Sequence, residues 1–218
     1  MKLLRLHIAL FICLCWVGLP VQTSFAQPAE ASTKLAAFEL KDQFGGRVSR
    51  DDFKDSIVIV IGGNRSVSAA SEHIGMEIKR SFLDNELLKD HLVVSQKGQS
   101  FAIRSTVGKA KSLQKTPIRI IPVADVAGVP SPLRWLVRQS MSSENDSPVL
   151  LDWEGHFTTD LGFEKDEVNI LLFSPGGNLR FQHSGRTIQL DQLKQIAAIT
   201  ESLIGSMAFQ NNTSGYER

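Results

Sequence analysis

The stretch Ile57-Val-Ile-Val-Ile61, followed by Gly62-Gly-Asn-Arg-Ser-Val-Ser-Ala-Ala70, decides the fold of this 218-residue chain. Five consecutive β-branched residues predict a strand buried on both faces, because a strand with one face in water would alternate apolar and polar residues. Two glycines, a short polar turn and a helical pattern come next. The strand is therefore expected to pass through a tight turn into the N-terminus of a helix.

The polar residues of this turn are the candidate binding site. Free N–H groups and the positive end of the helix dipole meet at such a junction, and α/β proteins commonly bind ligands there. Asn64, Arg65, Ser66 and Ser68 could hold an anion or a peptide carboxylate. The alternative interpretation is that they only form the turn and cap the helix, with Ser66 or Ser68 as the N-cap.

The first 26 residues have the composition of a cleavable export signal. Lys2 and Arg5 form a basic region, residues 8–19 are apolar, and residues 24–26 (Ser-Phe-Ala) match a small-x-small cleavage site. An uncleaved anchor is less favoured, because the apolar run is shorter than the about 20 residues that a bilayer span needs. We therefore expect a periplasmic or secreted protein with no stable membrane span after cleavage.

Both cysteines of the chain, Cys13 and Cys15, lie inside this leader. The 192 residues that follow residue 26 carry no thiol and suffice for one well-buried domain. Removal of Lys2 and Arg5 from the 24 basic residues leaves 22 against 23 acidic ones, a net charge of −1. This balance gives no general attraction to nucleic acid or to an anionic membrane.

One segment departs from the even charge balance. Between residues 97 and 119 there are six basic residues and no acidic one. This basic segment is either a solvated loop or a docking patch for an anionic partner. It overlaps residues 85–117, where no clear pattern emerges beyond two candidate short strands at residues 92–94 and 101–103.

The remaining pattern alternates strands with helices around the central strand. The second predicted helix has an apolar side, expected to be buried, that consists of Leu133, Leu136, Val137 and Met141. The last predicted helix ends at Gly205. The predicted elements are a hairpin (38–41 and 47–49), strands at 57–61, 118–123, 148–152, 168–173 and 179–183, and helices ending near Leu83, starting at Ser131, within 155–163 and from Leu190.

These elements predict one domain with a mixed sheet between helices. Residues 1–26 form the signal peptide and residues 27–37 a flexible lead-in. Residues 38–205 form the domain, and residues 206–218 are expected to be a disordered tail.

Three stretches resemble the thioredoxin-like superfamily, and within it the redoxin or peroxiredoxin-like branch. Residues 38–54 contain an F-x-L-x-D-x-x-G hairpin that leads into the strand at 57–61. Residues 148–163 are similar to the strand, D-x-x-G turn and short helix of that family, and residues 169–185 to its terminal hairpin. The resemblance implies an α/β thioredoxin-like fold, a mixed central sheet flanked by helices, with an N-terminal β-hairpin extension.

The catalytic motif of the resembled family is missing. Its enzymes place one or two cysteines just after the first central strand, at positions that fall near Ser66 and Ala69, and residues 62–84 contain none. The family's cis-proline falls at about Val168, and no arginine stands at 166–170 to match that of peroxidatic members. A serine hydroxyl cannot exchange disulfides, so thiol oxidoreductase or peroxidase activity is not expected.

Other chemistry finds little support in the sequence. The histidines after the leader lie too far apart to form a recognisable ligand pair, so no metal site is predicted. No G-x-S-x-G elbow surrounds Ser66, and no phosphate-loop lysine follows Gly62-Gly63, so no catalytic residue and no cofactor are predicted.

The resulting expectation is an exported, non-catalytic thioredoxin-fold protein with a binding or accessory role in the cell envelope. Its partner would be a protein or an anionic molecule, not nucleic acid, bound through residues 62–68 or the basic segment. The alternatives are an enzyme of non-thiol chemistry on the same fold, and a regulatory accessory protein that acts in an oligomer. The oligomeric state does not follow from the sequence.

Overall fold

A computed structural model describes residues 34–93, 116–144 and 147–213 of the chain. The strands of this part are β1 (Glu39–Asp42), β2 (Arg47–Ser49), β3 (Ile57–Gly63), β4 (Leu92–Val93), β5 (Ile118–Asp125), β6 (Leu150–Asp152), β7 (Val168–Phe173) and β8 (Leu179–Gly185). The helices are α1 (Ser68–Leu83), α2 (Arg134–Glu144), α3 (His156–Asp160) and α4 (Leu190–Thr213).

The strands form one mixed sheet in the order β2-β1-β6-β5-β3-β7-β8, with β4 paired to β5 outside this path. Strands β3, β4, β5 and β6 run parallel to one another, whereas β1, β7 and β8 pair with their neighbours in antiparallel fashion. The predicted hairpin, the central strand and the terminal hairpin are therefore confirmed as β1–β2, β3 and β7–β8.

Strand β3 lies between β5 and β7 and is buried on both faces, as its sequence predicts. Ile57, Ile59 and Ile61 point into one apolar cluster with residues of α1 and α4. Val58 and Val60 point into a second cluster on the opposite face, which includes Phe157 of α3. The alternation of a strand thus feeds two cores from one run of β-branched residues.

Glycines occupy the last two positions of β3, because neighbouring residues lie too close there to leave room for a side chain. A Cβ at Gly62 would overlap the carbonyl oxygen of Val123 and lie 3.0 Å from the ring of Phe163. A Cβ at Gly63 would lie 2.6 Å from Val67 and 2.7 Å from the carbonyl oxygen of Glu167. These positions therefore admit only glycine without a shift of backbone.

The predicted short strand at 92–94 is confirmed as β4, which pairs with the first residues of β5. The candidate strand at 101–103 and most of the basic segment lie outside the described residues. Arg119, which the sequence places in that segment, is buried on β5 with 8% of its surface exposed. Its Nε donates to Ser56 Oγ at 3.2 Å, and its guanidinium lies 5.9 Å from the ring centroid of Phe53.

The assignment of Arg119 to a solvated basic patch is therefore wrong. Burial is the main cause that lowers the pKa of Arg119 from its ordinary value, and Asp52 opposes this effect. The periodicity of β5 explains the position, because Arg119 alternates with the buried Ile118 on a strand that is covered on both faces.

The predicted buried side of the second helix is also wrong. None of residues 134–143 of α2 is buried, and Leu133 and Leu136 are each 50% exposed. Val137 and Met141 are half-buried. Leu136, Val137 and Met141 line a groove that lies between α2 and β5, so the amphipathic pattern marks the wall of a groove and not a packed core contact.

The last helix continues beyond the predicted stop at Gly205 and ends at Thr213. Gly205 is an exposed helical residue, and a Cβ there would meet nothing within 4 Å. Ile204 is buried on one side of it, and Met207 Sδ accepts a hydrogen bond from Thr116 Oγ1 at 3.4 Å on the other. These contacts favour continuation of the helix, whereas residues 214–218 of the predicted tail lie outside the described residues.

Replacement of Gly62 by alanine is expected to lower the free energy of unfolding by about 1–3 kcal/mol, the usual cost of overpacking. Urea unfolding of Gly62→Ala and of the control Gly75→Ala would measure this. A Cβ at Gly75 has only Ile61 Cδ1 at 3.8 Å, an ordinary contact. Equal stability of Gly62→Ala and the wild-type protein would contradict the close approach of β5.

Replacement of Gly205 by alanine is expected to raise the free energy of unfolding by about 0.5–1 kcal/mol, because alanine restricts the unfolded chain at an unstrained helical position. The same urea experiment measures it. A loss of stability would instead show that Gly205 adopts the left-handed conformation of a helix end, as the sequence pattern predicts.

Candidate functional site

The junction after β3 consists of one polar residue, a single 3-10 turn and the start of α1. Asn64 caps the turn Arg65–Val67, because its Oδ1 accepts a hydrogen bond from the backbone N–H of Ser66 at 3.0 Å. Helix α1 then begins at Ser68, and its N-cap residue Val67 makes no side-chain cap bond. The prediction that Ser66 or Ser68 caps the helix is thus wrong, since the intervening turn gives that role to Asn64.

Asp166, in the loop before β7, binds the same turn. Its Oδ1 accepts hydrogen bonds from Asn64 Nδ2 at 2.8 Å and from Ser66 Oγ at 2.9 Å. The hydroxyl of Ser66 also lies 2.7 Å from Asn64 Oδ1. We call Asn64, Ser66 and Asp166 the Asp166 clasp, because they join two loops that are separated by about 100 residues in sequence.

The backbone of Asp166 adopts a conformation that is unfavourable for most residues other than glycine. Its φ of 60° lies in the left-handed region, and it is the one non-glycine residue there among the described residues. Aspartate and asparagine tolerate this region better than most side chains. The carbonyl oxygen of Asp166 also accepts a hydrogen bond from Arg186 Nε at 3.3 Å, which ties the loop to the residue after β8.

The clasp does not form a nucleophilic site. The amide of Asn64 and the hydroxyl of Ser66 hold the pKa of Asp166 below its ordinary value. A carboxylate with a lowered pKa is a weak base and does not activate a serine hydroxyl. Within the described ranges, no histidine forms a hydrogen bond with Ser66, so the arrangement lacks the base of a hydrolytic triad.

The four candidate binding residues divide into two pairs. The side chains of Asn64 and Ser66 already donate hydrogen bonds to a carboxylate of the protein itself, that of Asp166. Arg65 and Ser68 are exposed, and in the described part of the chain their side chains form no hydrogen bond. All four line one groove, in which a binding role for them stays a prediction.

This groove, with a volume of about 1280 Å³, lies beside the turn and between α1, the C-terminal half of β5 and α2. Its walls are partly apolar, since Met76 of α1 and Leu136 of α2 are 53% and 50% exposed and both line it. Pro122 and Val123 of β5 also line it. We call it the α1–α2 groove. It joins the polar turn to the open apolar side of α2.

The structure places the positions of the missing cysteines at the same turn. Ser66 lies in the 3-10 turn, Ala69 lies in the first turn of α1, and no cysteine occurs among the described residues. Val168 begins β7 and follows a trans peptide bond, because the described residues contain no cis peptide. In this protein a hydrogen-bonded Asp166 faces the turn from that loop.

Asp166 is the residue that sequence reasoning missed. It stands in Lys165-Asp-Glu167, which has the composition of any charged surface loop. Its partners lie about 100 positions earlier, so no local pattern points to them. The role of Asp166 could be predicted only by knowing that the loop before β7 faces the turn after β3.

Neither a metal site nor a membrane-spanning helix is found in the described ranges. They contain no group of three or more histidine, cysteine, aspartate or glutamate residues that could hold a metal ion. They also contain no helix with the length and apolar character required to span a bilayer.

Comparison with known proteins gives a likeness at the level of structure only. No protein-family model and no curated protein matches the chain. A thiol:disulfide interchange protein DsbE from Chlorobium tepidum superposes with a TM-score of 0.51 at 14% identity, over 79% of this chain and 96% of that chain. The fold is thioredoxin-like.

Two other solved structures superpose on most of the chain. BsSco, a member of the Sco family of cytochrome c oxidase assembly proteins, superposes with a TM-score of 0.50 at 12% identity, over 81% of this chain and 95% of that chain. The exposed lipoprotein thioredoxin Etrx1 from Streptococcus pneumoniae gives 0.47 at 18% identity, over 74% and 97%. The predicted fold class is confirmed, with the hairpin β1–β2 as its N-terminal extension.

Asp166 is expected to titrate below the ordinary range of an aspartate, and Asn64→Ala should raise its pKa toward that range. Carbon-detected NMR of the carboxyl group would measure both values. Because the pKa is lowered by folding, the clasp stabilises the protein above the unfolded-state pKa, and this stabilisation is lost as the pH falls through the folded-state pKa.

Ser68→Ala is the matched control, since Ser68 lines the same groove without a bond to Asp166. It should leave the titration of Asp166 unchanged. An unchanged pKa in Asn64→Ala as well would show that the amide of Asn64 does not hold the carboxylate in solution.

Proposed function

We propose that this chain is an exported, non-catalytic thioredoxin-fold protein that binds another protein in the cell envelope through the α1–α2 groove. The observation that carries the proposal is the pairing of two features at one place. The turn where thioredoxin-like enzymes hold their cysteines is closed by the Asp166 clasp, and the groove beside it is open and partly apolar.

The clasp supports the absence of thiol chemistry. Disulfide exchange needs a thiolate near the start of α1, and both cysteines of the chain, Cys13 and Cys15, lie in the predicted signal peptide. The hydroxyl and amide groups that stand at the turn are engaged with Asp166. This site is thus suited to hold two loops together and not to transfer electrons or acyl groups.

The groove supports a binding role. Large apolar side chains of soluble proteins are usually covered, and a contiguous exposed apolar surface commonly marks an interaction site. Met76 of α1 and Leu136 of α2 are exposed and both line a groove whose volume exceeds that of most small-molecule pockets. An extended polypeptide segment is the occupant that suits this size.

The charged residues of the groove favour a partner segment with acidic residues. Arg65, Lys79 and Lys165 line the groove, and Glu72 and Asp125 also line it. The excess is one positive charge, which favours an acidic segment without excluding neutral ones. The export signal predicted from residues 1–26 supports an encounter in the periplasm or outside the cell.

Site-specific photo-crosslinking in cells that export the chain tests the proposal. A photoreactive residue at Met76 or at Leu136 is expected to give the same adduct with one other protein. Gln195 on the exposed side of α4 is the control position and should give no such adduct. Substitution Leu136→Glu should reduce the adduct formed at Met76 about tenfold or more, because it places a charge in the apolar wall.

Adducts of equal yield at all three positions would contradict the groove as the binding surface. An adduct with the mass of two copies of the chain would show self-association in place of a separate partner. The exported protein should also show no insulin-reducing and no peroxidase activity, and thiol-dependent turnover would overturn its non-catalytic nature.

A further inference from the structure

A second cavity, of about 440 Å³, lies on the other side of α2 from the groove. Strands β1 and β6 pair only through Lys41 and Asp42, opposite Leu151 and Leu150. Beyond these pairs the two segments of the chain are not paired, and residues 36–40 and 152–154 line the space between them. We call it the β1–β6 cavity. Neither the fold nor the proposed function assigns it a role.

A tryptophan flanked by two arginines forms one wall of this cavity. The guanidinium carbons of Arg134 and Arg138 lie 5.2 Å and 5.5 Å from the ring centroid of Trp153. The two arginines are one helical turn apart on α2, so both reach the same indole ring. Such contacts hold each guanidinium in a fixed plane.

The same three residues carry unpartnered donors. Arg134 Nε, Arg138 Nε and Trp153 Nε1 are buried and have no hydrogen-bond partner. Buried polar atoms are nearly always paired, because an unpaired donor loses its hydration without compensation. These three atoms have almost no accessible surface, so the part of this wall that a ligand can reach is the terminal nitrogens of the guanidinium groups.

The charges around the cavity leave Arg138 unbalanced. Arg134 pairs with Glu154 at 3.0 Å, and Glu39, which also lines the cavity, pairs with Arg47 at 3.3 Å. Within the described residues, Arg138 makes no ion pair and no hydrogen bond, and its recorded interaction is the contact with the indole.

Two further acids line the cavity without reaching Arg138. Asp152 accepts hydrogen bonds from the N–H of Gly155, and from the N–H and hydroxyl of Thr158, at 2.9–3.0 Å. Asp160 is exposed at the end of α3, and Lys41 also lines the cavity. The lining thus holds four acidic and three basic side chains, and of its two arginines Arg138 is the one without an acidic partner among the described residues.

We propose that the β1–β6 cavity binds a small oxyanion, a carboxylate or a phosphate or sulfate ester, attached to an apolar body. The oxyanion accepts hydrogen bonds from the terminal nitrogens of Arg138, in the planar geometry that a guanidinium offers to such groups. The apolar body lies against Phe38, Leu40 and Phe157, which line the remainder of the cavity.

The competing explanation is that the two arginines serve only to pack Trp153. Packing alone requires the stacked planes but gives no preference for an anion over a neutral molecule of the same shape. The two explanations therefore differ in the dependence of binding on ligand charge and on Arg138.

Titration of the full chain with benzoate, phenyl phosphate and phenyl sulfate, each against benzamide, tests the proposal. The indole N–H resonance of Trp153, assigned with a Trp153→Phe variant, reports occupancy, and calorimetry gives the affinity. At least one anion is expected to bind about tenfold or more tightly than benzamide, because a charge-assisted hydrogen bond replaces a neutral one. The ranking of the three anions identifies the type of oxyanion.

The variant Arg138→Gln should reduce the affinity for that anion about tenfold or more and leave benzamide unaffected. Arg180→Gln is the matched control, since Arg180 is an exposed arginine on β8. Circular dichroism checks that both variants fold. Equal affinity for anions and benzamide, unchanged binding in Arg138→Gln, or no binding of any probe up to the millimolar range would each overturn the proposal.

Discussion

Burial of β3 on both faces is the constraint on which the other elements depend. Because β3 pairs with β5 on one side and β7 on the other, it has no free edge, and its alternate side chains supply both apolar clusters. The close approach of neighbours at Gly62 and Gly63 then fixes where the strand ends. The turn at Asn64 and the loop that carries Asp166 are brought together as a consequence.

The clasp shows how a thioredoxin-like scaffold holds this junction together without sulfur. The antiparallel pairing of β3 with β7 brings the turn after β3 and the loop before β7 within hydrogen-bond distance. Here a carboxylate in the left-handed region binds the amide of Asn64 and the hydroxyl of Ser66. Fewer backbone N–H groups are free near the start of the helix, because Asn64 Oδ1 accepts a hydrogen bond from the N–H of Ser66 in the preceding turn.

The sequence predicts most of the fold because its strands are short, apolar and bounded by turn residues, and β3 is the clearest case. It fails where tertiary contacts decide the outcome. The stripe on α2 is amphipathic, yet only the structure shows that an open groove lies opposite it. Gly205 has the identity of a helix stop, but contacts of Ile204 and Met207 carry the helix past it. Asp166 could not be predicted, because its role depends on contacts between distant segments.

Helix α2 separates two spaces and has no buried residue between Arg134 and Ser143 to anchor it to a core. Leu136 and Val137 line one space, whereas Arg134 and Arg138 line the other. Thermodynamic reciprocity then applies: an occupant of either space that favours one position of α2 alters the affinity of the other space by the same factor in both directions. Because one helix borders both spaces, a ligand that shifts α2 from one side changes the shape of the space on the other side.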